Sequence, residues 1–352
     1  VSDAIEVGEL TPELEPAYAR FIAADPRAMI YGTLEFREFL RRSVGGSPHY
    51  LVARRGHDIV GAMPYFVATH PEFGEVINSL PWYGSHGGCQ VAGDAPAARA
   101  MLLDRFQCAV TSSSVLFSTI VLTPGETAHL DEYRRALNPA AVDGRIGQVT
   151  ELPEGGGDLE RALESLCLQK TRNLVRKSRN QGFELALADT DEGWAFLYET
   201  HVENMRAIGG RAKPLAHFEA MRQSIPPAWR QLVQTRLEGQ PVASMLLFRF
   251  NRTVEYITPV IKHEFRSLQP LSFAIWHGMI DAVRSGFRYW NWGGTWASQT
   301  TLHHFKAGWG ATDLPYNYVI HASPHARQIW QDRRAALVEA FPYYFLFPFE
   351  AA

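Results

Sequence analysis

The chain lacks most of the features that would place a protein at a glance. Only 3 cysteines (Cys89, Cys108 and Cys167) occur in 352 residues, with no Cys-x-x-Cys pair and no His/Cys spacing suited to zinc. Neither a disulfide framework nor a metal site is expected, and a reducing compartment is the natural setting. No apolar run approaches the ~18–20 residues that span a bilayer. The opening Val1-Ser2-Asp3-Ala4-Ile5-Glu6 offers no basic n-region and no apolar h-region, so no secretion signal is expected. An excess of one charge is also missing: 34 Lys+Arg face 37 Asp+Glu, a net −3. Nothing marks the whole chain as a DNA binder, although a local basic patch remains open. Together these absences suggest a cytoplasmic protein.

What is present is ample material for buried cores, with 46% hydrophobic and 20% charged residues. The length allows two or three domains. The sequence can also be read twice. Residues 50–124 and 231–292 each run as three strand-like segments, a helix and a further strand. With one gap, the stretch from Tyr50 matches that from Gln231. Val60-Gly61-Ala62 then falls beside Val242-Ala243-Ser244. A repeat of this size implies two copies of one domain. The expected boundaries are 1–148, with 318–352 returning to it, and 149–317.

Within the copies, strands are expected near 49–55, 58–69 and 75–80, a helix over 96–111 and a strand over 117–122. A helix near 158–181 opens the second copy. Another follows at 191–206, then strands at 230–237, 241–250 and 253–261. Phe273, Trp276, Ile280 and Val283 mark one face of a further helix, with Gly286 as its C′ residue. Phe287 to Trp292 reads as a strand.

This order resembles the core of the GNAT acyltransferase fold, so the expected class is α+β with mixed sheets, as two tandem GNAT-like domains. A plain α+β sandwich without that chemistry would show the same pattern. The resemblance implies that the strands flanking the helix splay apart. The gap would admit an acyl group, and free backbone N–H groups there would bind its carbonyl.

Three stretches narrow the resemblance: Lys170 to Gly182, Pro270 to Gly294 with Tyr289-Trp290-Asn291-Trp292-Gly293-Gly294, and Phe305-Lys306-Ala307-Gly308-Trp309-Gly310. In this order they resemble the Fem (FemAB-like) family of nonribosomal peptidyl transferases, clearly over about 160–312 and only architecturally before it. The family implies transfer of an amino acid from aminoacyl-tRNA to an amine. By that likeness Lys306 would stabilise the tetrahedral intermediate and Phe305 would shape its pocket. Preorganised donors of this kind contribute ~10²–10³ in rate. The bland alternative is a surface lysine before a Gly-rich turn. His303 and His304 are candidate proton acceptors.

Arg172 and Arg176 lie four apart on one helical face and suit an amine-bearing small-molecule or peptide acceptor that is phosphate- or lipid-linked. The alternatives are a tRNA-facing patch or a solvated face paired with Asp189 and Asp191. Trp82, Tyr83 and His86, in a Gly-rich segment, are candidate substrate contacts, as are Trp292 and Gly293. Two departures from the family stand out. The sequence has no heptad run for a coiled-coil arm, and where many of the family's peptidoglycan ligases carry a Gly-Pro segment followed by an acid it has Trp82 to Gly88, without an acid.

No permanently bound cofactor is expected, with charged tRNA as co-substrate. Acyl-coenzyme A is the rival donor. Its pyrophosphate loop would fall on Phe265 to Ser272, where Leu268 and Pro270 stand in place of glycines. A GNAT-fold binding module without activity is the third reading. The aromatic tail, Phe341 to Phe349, either packs back on the first domain or docks at a membrane surface.

Overall fold

The computed structural model describes residues 4–82, 86–296 and 298–346. The chain forms two compact units. Unit 1 runs to Arg145 and resumes at Pro315; unit 2 is Ile146–Leu314. Unit 1 contains β1 (Ile5–Glu9), α1 (Glu15–Ala24), α2 (Leu34–Ser43), β2 (Ser47–Arg55), β3 (Asp58–His70), β4 (Gly74–Asn78), β5 (Gln90–Val91), α3 (Ala97–Val110), β6 (Val115–Val121) and α4 (Leu130–Leu137). After β7 (Ala141–Glu151) come α5 (Leu159–Leu166), α6 (Gln169–Arg179), β8 (Glu184–Leu187), α7 (Asp191–Ala207), α8 (Leu215–Ser224), β9 (Arg230–Leu237), β10 (Gln240–Phe250), β11 (Thr253–Ile261), α9 (Pro270–Arg284), β12 (Tyr289–Thr295) and α10 (Thr300–Gly308). Then β13 (Thr312–Ala322) and α11 (Ala326–Ala340) lead back into unit 1.

The sheet order in unit 1 is β1-β2-β3-β4-β6-β13, with β5 on β3; in unit 2 it is β8-β9-β10-β11-β12-β7. Neighbours are antiparallel except β4/β6 and β11/β12. A parallel pair needs a crossover, and a helix supplies it in each unit, α3 or α9. The repeat extends to irregularities. Val60 is an extra residue between Ala53↔Gly61 and Arg54↔Ile59, and Val242 one between Pro241↔Arg236 and Ala243↔Thr235. The Val-small-small pattern marks a β-bulge in both copies.

Each crossover helix buries its apolar face on its own sheet. Leu102, Leu103 and Phe106 of α3 pack with Leu51, Ala53 and Met63. Trp276, Met279 and Ile280 of α9 pack with Met245, Leu247 and Trp290. Gly278 makes the second arrangement possible, since a Cβ there would sit 2.7 Å from Met245 Cε and 3.1 Å from the Trp290 ring.

The helix expected over 158–181 is two helices. Cys167 is extended (ψ 141°), Leu168 N–H bonds Gly308 O, and the Arg172 guanidinium binds Cys167 O at 2.6 Å. Long-range bonds end the first helix, so no glycine or proline was needed to announce it. Helix α8 had no counterpart in the sequence reading. The described part of the tail faces inward: Phe341, Tyr344 and Leu346 are buried.

Candidate active site

In unit 2 the parallel pairing of β11 and β12 runs from Thr253↔Tyr289 to Glu255↔Asn291 and stops. Beyond it β11 continues to Ile261 and β12 to Thr295. Two irregularities open the gap. Leu246 pairs with Thr258 but Leu247 with Tyr256, which makes Ile257 a bulge residue outside the regular ladder. On the other side, pairing with β7 shifts between Asn291 and Gly294, and Gly293 takes a positive φ of 71°. Glycine meets that conformation without strain.

The apex of this cleft is a buried polar clamp. Asn291 Nδ2 donates to Glu255 Oε2 at 2.8 Å, and Gly293 N–H donates to Asn291 Oδ1 at 2.9 Å. The wall is aromatic: Trp292 lies edge-on to Tyr256 (5.1 Å between centroids) and Phe305 (6.0 Å), and 6.1 Å from Trp309. Its indole N–H donates to Thr150 Oγ1, which donates to Trp309 O. Burial raises the Tyr256 phenol pKa, so its hydroxyl stays protonated.

Lys306 is no surface residue. On α10 it is 4% exposed, and Nζ donates to Gly293 O (3.1 Å), Gly294 O (3.0 Å) and Thr295 Oγ1 (2.7 Å). An ammonium has three N–H donors, and these bonds use all of them. Burial lowers its pKa to about 8. Gly308 lets α10 meet α6, since a Cβ there would lie 2.5 Å from Thr171 Oγ1. The Phe-Lys-x-Gly-aromatic-Gly pattern thus pins the splayed end of β12 and seats α10 on α6. Phe305 remains exposed, edge-on to Trp292.

His304 Nδ1 donates to Thr300 O at 2.6 Å, a carbonyl that can only accept. The ring is exposed, and in the neutral tautomer that this bond selects Nε2 is the acceptor. His303 Nε2 lies 2.9 Å from Asp313.

The arginines divide by role. Arg172 binds Cys167 O, Glu164 O and Gln169 Oε1, closing the C-terminal end of α5. Arg176 is exposed, with one bond to Asn173 Oδ1 at 3.2 Å. Asp189 and Asp191 pair with Arg222 and Arg230, so they do not neutralise this helix as one reading of the sequence supposed.

The other candidates belong to unit 1. His86 is buried, donates from Nδ1 to Leu122 O, and packs on Tyr31 and Tyr316. Burial lowers its pKa to about 4, so it is a neutral core residue. The Trp82 ring packs on that of Tyr343, tilted by 33° with centroids 4.5 Å apart. Tyr83 lies outside the described residues.

Sequence reasoning missed Glu255 and Lys213. Glu255 is the charged residue of a strand otherwise made of apolar residues, Tyr and Thr, which was a usable signal. Lys213 sits in the 209–214 loop, and only the fold brings its Nζ to Thr258 Oγ1, one residue past the bulge, at 3.1 Å. Its backbone N–H is held by His201 Nε2. Burial lowers the Lys213 pKa to about 8. Among the described residues no metal-ligating group occurs, and no helix is long and apolar enough to cross a membrane.

The acetyltransferase (GNAT) domain family matches residues 167–316. No curated protein matches the chain in sequence. Solved structures do match in fold. A FemX structure aligns with TM-score 0.72 at 13% identity, covering 93% of this chain and 99% of FemX. The C-terminal domain of a protein described as a lysylphosphatidylglycerol synthetase, from Agrobacterium fabrum, gives 0.58 at 11%, covering 93% and 96%. A tandem GNAT protein from the clavulanic acid biosynthesis pathway gives 0.54 at 11%, covering 91% and 98%. At such identities the likeness is one of fold, and the repeated strand order, with one parallel pair and its crossover helix in each unit, agrees with it. The chain is a tandem GNAT-fold protein of FemX-like architecture.

Proposed function

We propose that the protein is an acyltransferase that forms an amide on an amine acceptor, using the unit 2 cleft. The observation that carries this is the opening between β11 and β12 beyond Glu255↔Asn291, with the bulge at Ile257 on one side and the Lys306-pinned edge on the other. In this reading the acyl carbonyl enters the opening and meets backbone N–H at the bulge. Lys306 acts from behind, fixing the Gly293-Gly294 edge and adding its charge, because its donors are already engaged. The amine nitrogen attacks the carbonyl carbon, His304 Nε2 takes the amine proton, and as the bond to the donor's oxygen or sulfur breaks that proton passes to the departing oxygen or sulfur. A covalent cysteine intermediate has little support: burial raises Cys167 to about 11 and Cys89 to about 12. Arg176, with exposed Lys170 and Lys177, would hold an anionic part of a substrate.

Aminoacyl-tRNA is the preferred donor. It follows from the Fem resemblance, and the lysylphosphatidylglycerol synthetase neighbour is in keeping with it. Acyl-coenzyme A is the second reading, motivated by a tandem GNAT neighbour described in a form without AcCoA. Against it, Pro270 takes the first position of α9 and removes one N–H from the helix start where a pyrophosphate would bind. A donor screen decides between them. Purified protein is offered charged tRNA pools and acyl-coenzyme A, with and without ribonuclease. Activity with acyl-coenzyme A that ignores ribonuclease would reverse the ranking.

A further inference from the structure

Beyond the bulge, the β11 edge of the unit 2 opening offers a substrate little backbone to bind. Lys262 N–H donates to Val242 O on β10. By the alternation of an antiparallel pair, Pro259 and Ile261 therefore turn their backbone groups away from β10, toward the opening. Pro259 has no N–H. Ile261 N–H donates to Asn204 Oδ1 at 3.0 Å, and Asn204 Nδ2 donates to Ile261 O at 2.8 Å. A side-chain amide from α7 thus stands where a neighbouring strand would. Recognition along this stretch of edge falls to side chains.

The loop between α7 and α8 places a charge there. Lys213 Nζ donates to Thr258 Oγ1 at 3.1 Å, between the Ile257 bulge and the end capped by Asn204. The loop is held in place at the same residue, whose backbone N–H donates to Nε2 of the buried His201 at 3.0 Å. His201 and Asn204 are three apart on α7, so one face of that helix fixes both the loop and the strand edge. Lys213 is half-buried, so its ammonium is partly desolvated and still reachable. With a pKa of about 8, it is mostly charged at pH 7. Lys306 is the contrast, since its three donors are spent on the protein. Glu255, the acid of this strand, is bonded to Asn291 at the apex. A cation in surroundings less polar than water attracts a carboxylate more strongly than one in bulk solvent.

We propose that Lys213 is a specificity-determining residue that reads a carboxylate on the acyl group entering the unit 2 opening. The inference rests on that opening being the acyl site and adds the substrate class. The class is an acidic acyl group, such as glutamyl or aspartyl on tRNA or succinyl on coenzyme A. Thr258 adjoins the bulge where the reacting carbonyl would bind, so the carboxylate and that carbonyl belong to one short acyl chain.

Donor pairs that differ in this charge test the proposal: glutamyl- against glutaminyl-tRNA, and succinyl- against butyryl-coenzyme A. Their kcat/KM values are compared in wild type, Lys213→Met and Lys213→Arg. Wild type is expected to prefer the acidic member of one pair by about ten- to hundredfold, the range of one charge-assisted bond. Lys213→Met should erase that preference by raising KM for the acidic donor, with the neutral donor unchanged within about twofold. Lys213→Arg keeps the charge and should retain part of the preference. Preference for the neutral members, a preference that survives in Lys213→Met, or an equal loss for both members would each overturn the proposal. A second measurement needs no turnover. Calorimetric titration with the α-methyl esters of glutamate and glutamine should show about tenfold tighter binding of the glutamate ester, equalised in Lys213→Met. Equal binding of both esters by wild type would overturn the proposal. Discrimination between the esters without transfer from any donor would uphold Lys213 as the reader and overturn the proposed reaction instead.

Discussion

The two splayed clefts differ in what their apices do. In unit 1 the ladder is carried past the parallel pair: Ser79 N–H donates to Thr119 O, Val121 N–H to Ser79 Oγ and Gly87 N–H to Val121 O. The tail then covers the Asn78 and Thr119 side chains at the last pair. In unit 2 a longer strand is bulged at Ile257, β12 is bent at Gly293, and a buried lysine pins the bent edge. The same strand order thus yields a closed cleft and an open one. A fold supplies the place for chemistry, and local departures from its ladder decide whether the place is used.

The largest expected effect is at the open cleft. Lys306→Ala should lower kcat by about 10²–10³ with little change in KM, because what it holds in place matters most as the oxyanion forms. In unit 1, Ser79→Ala should keep turnover within about twofold. Turnover that survives the first change and collapses with the second would move the chemistry to the other unit.

Acid should act on both units through one mechanism. His86 in unit 1 and His201 in unit 2 both have folded pKa values of about 4, lowered by burial from 6.5. Between those values the unfolded chain binds more protons. Stability is therefore complete above about pH 6.5 and is lost as pH falls toward 4, by up to about 3 kcal/mol for His86. His86→Gln keeps a donor for Leu122 O and should flatten that loss in an acid titration followed by circular dichroism. An unchanged titration would mean that other groups govern acid unfolding.

Smaller effects separate the two arginines. Arg172→Ala should cost about 1–2 kcal/mol of stability in thermal melts, through the freed Cys167 and Glu164 carbonyls, and leave anion affinity intact. Arg176→Ala should leave stability intact and weaken a phosphate-bearing ligand about tenfold, with a shallower salt dependence in calorimetric titration. Reversed results would exchange their roles.

Most of the fold could be read in advance because its signals are local. Alternating and periodic apolar residues mark strands and helices, and Gly286 ends one of them. The repeat was visible in the order of residues along the two stretches, and the Val-small-small pattern proved to mark a shared bulge. The candidate site was legible only where the Fem resemblance pointed, to Lys306, Phe305, Trp292 and Gly293. Reading could not find Lys213 beside Thr258, since 45 residues separate them. Nor could it assign Arg172 to a helix end that only Leu168 and Gly308 reveal.

The amino-acid sequence by itself determined two copies of one α+β unit, their strand order, and a lysine placed just before a Gly-aromatic-Gly turn. Tertiary structure decided the rest. It buried that lysine among two carbonyls and a hydroxyl, withdrew His86 into the core, and continued the unit 1 ladder through Ser79 and Gly87 while β11 and β12 part in unit 2. Periodicity is written along the chain, whereas these outcomes depend on which distant carbonyl, amide or hydroxyl meets each donor once the sheets have formed.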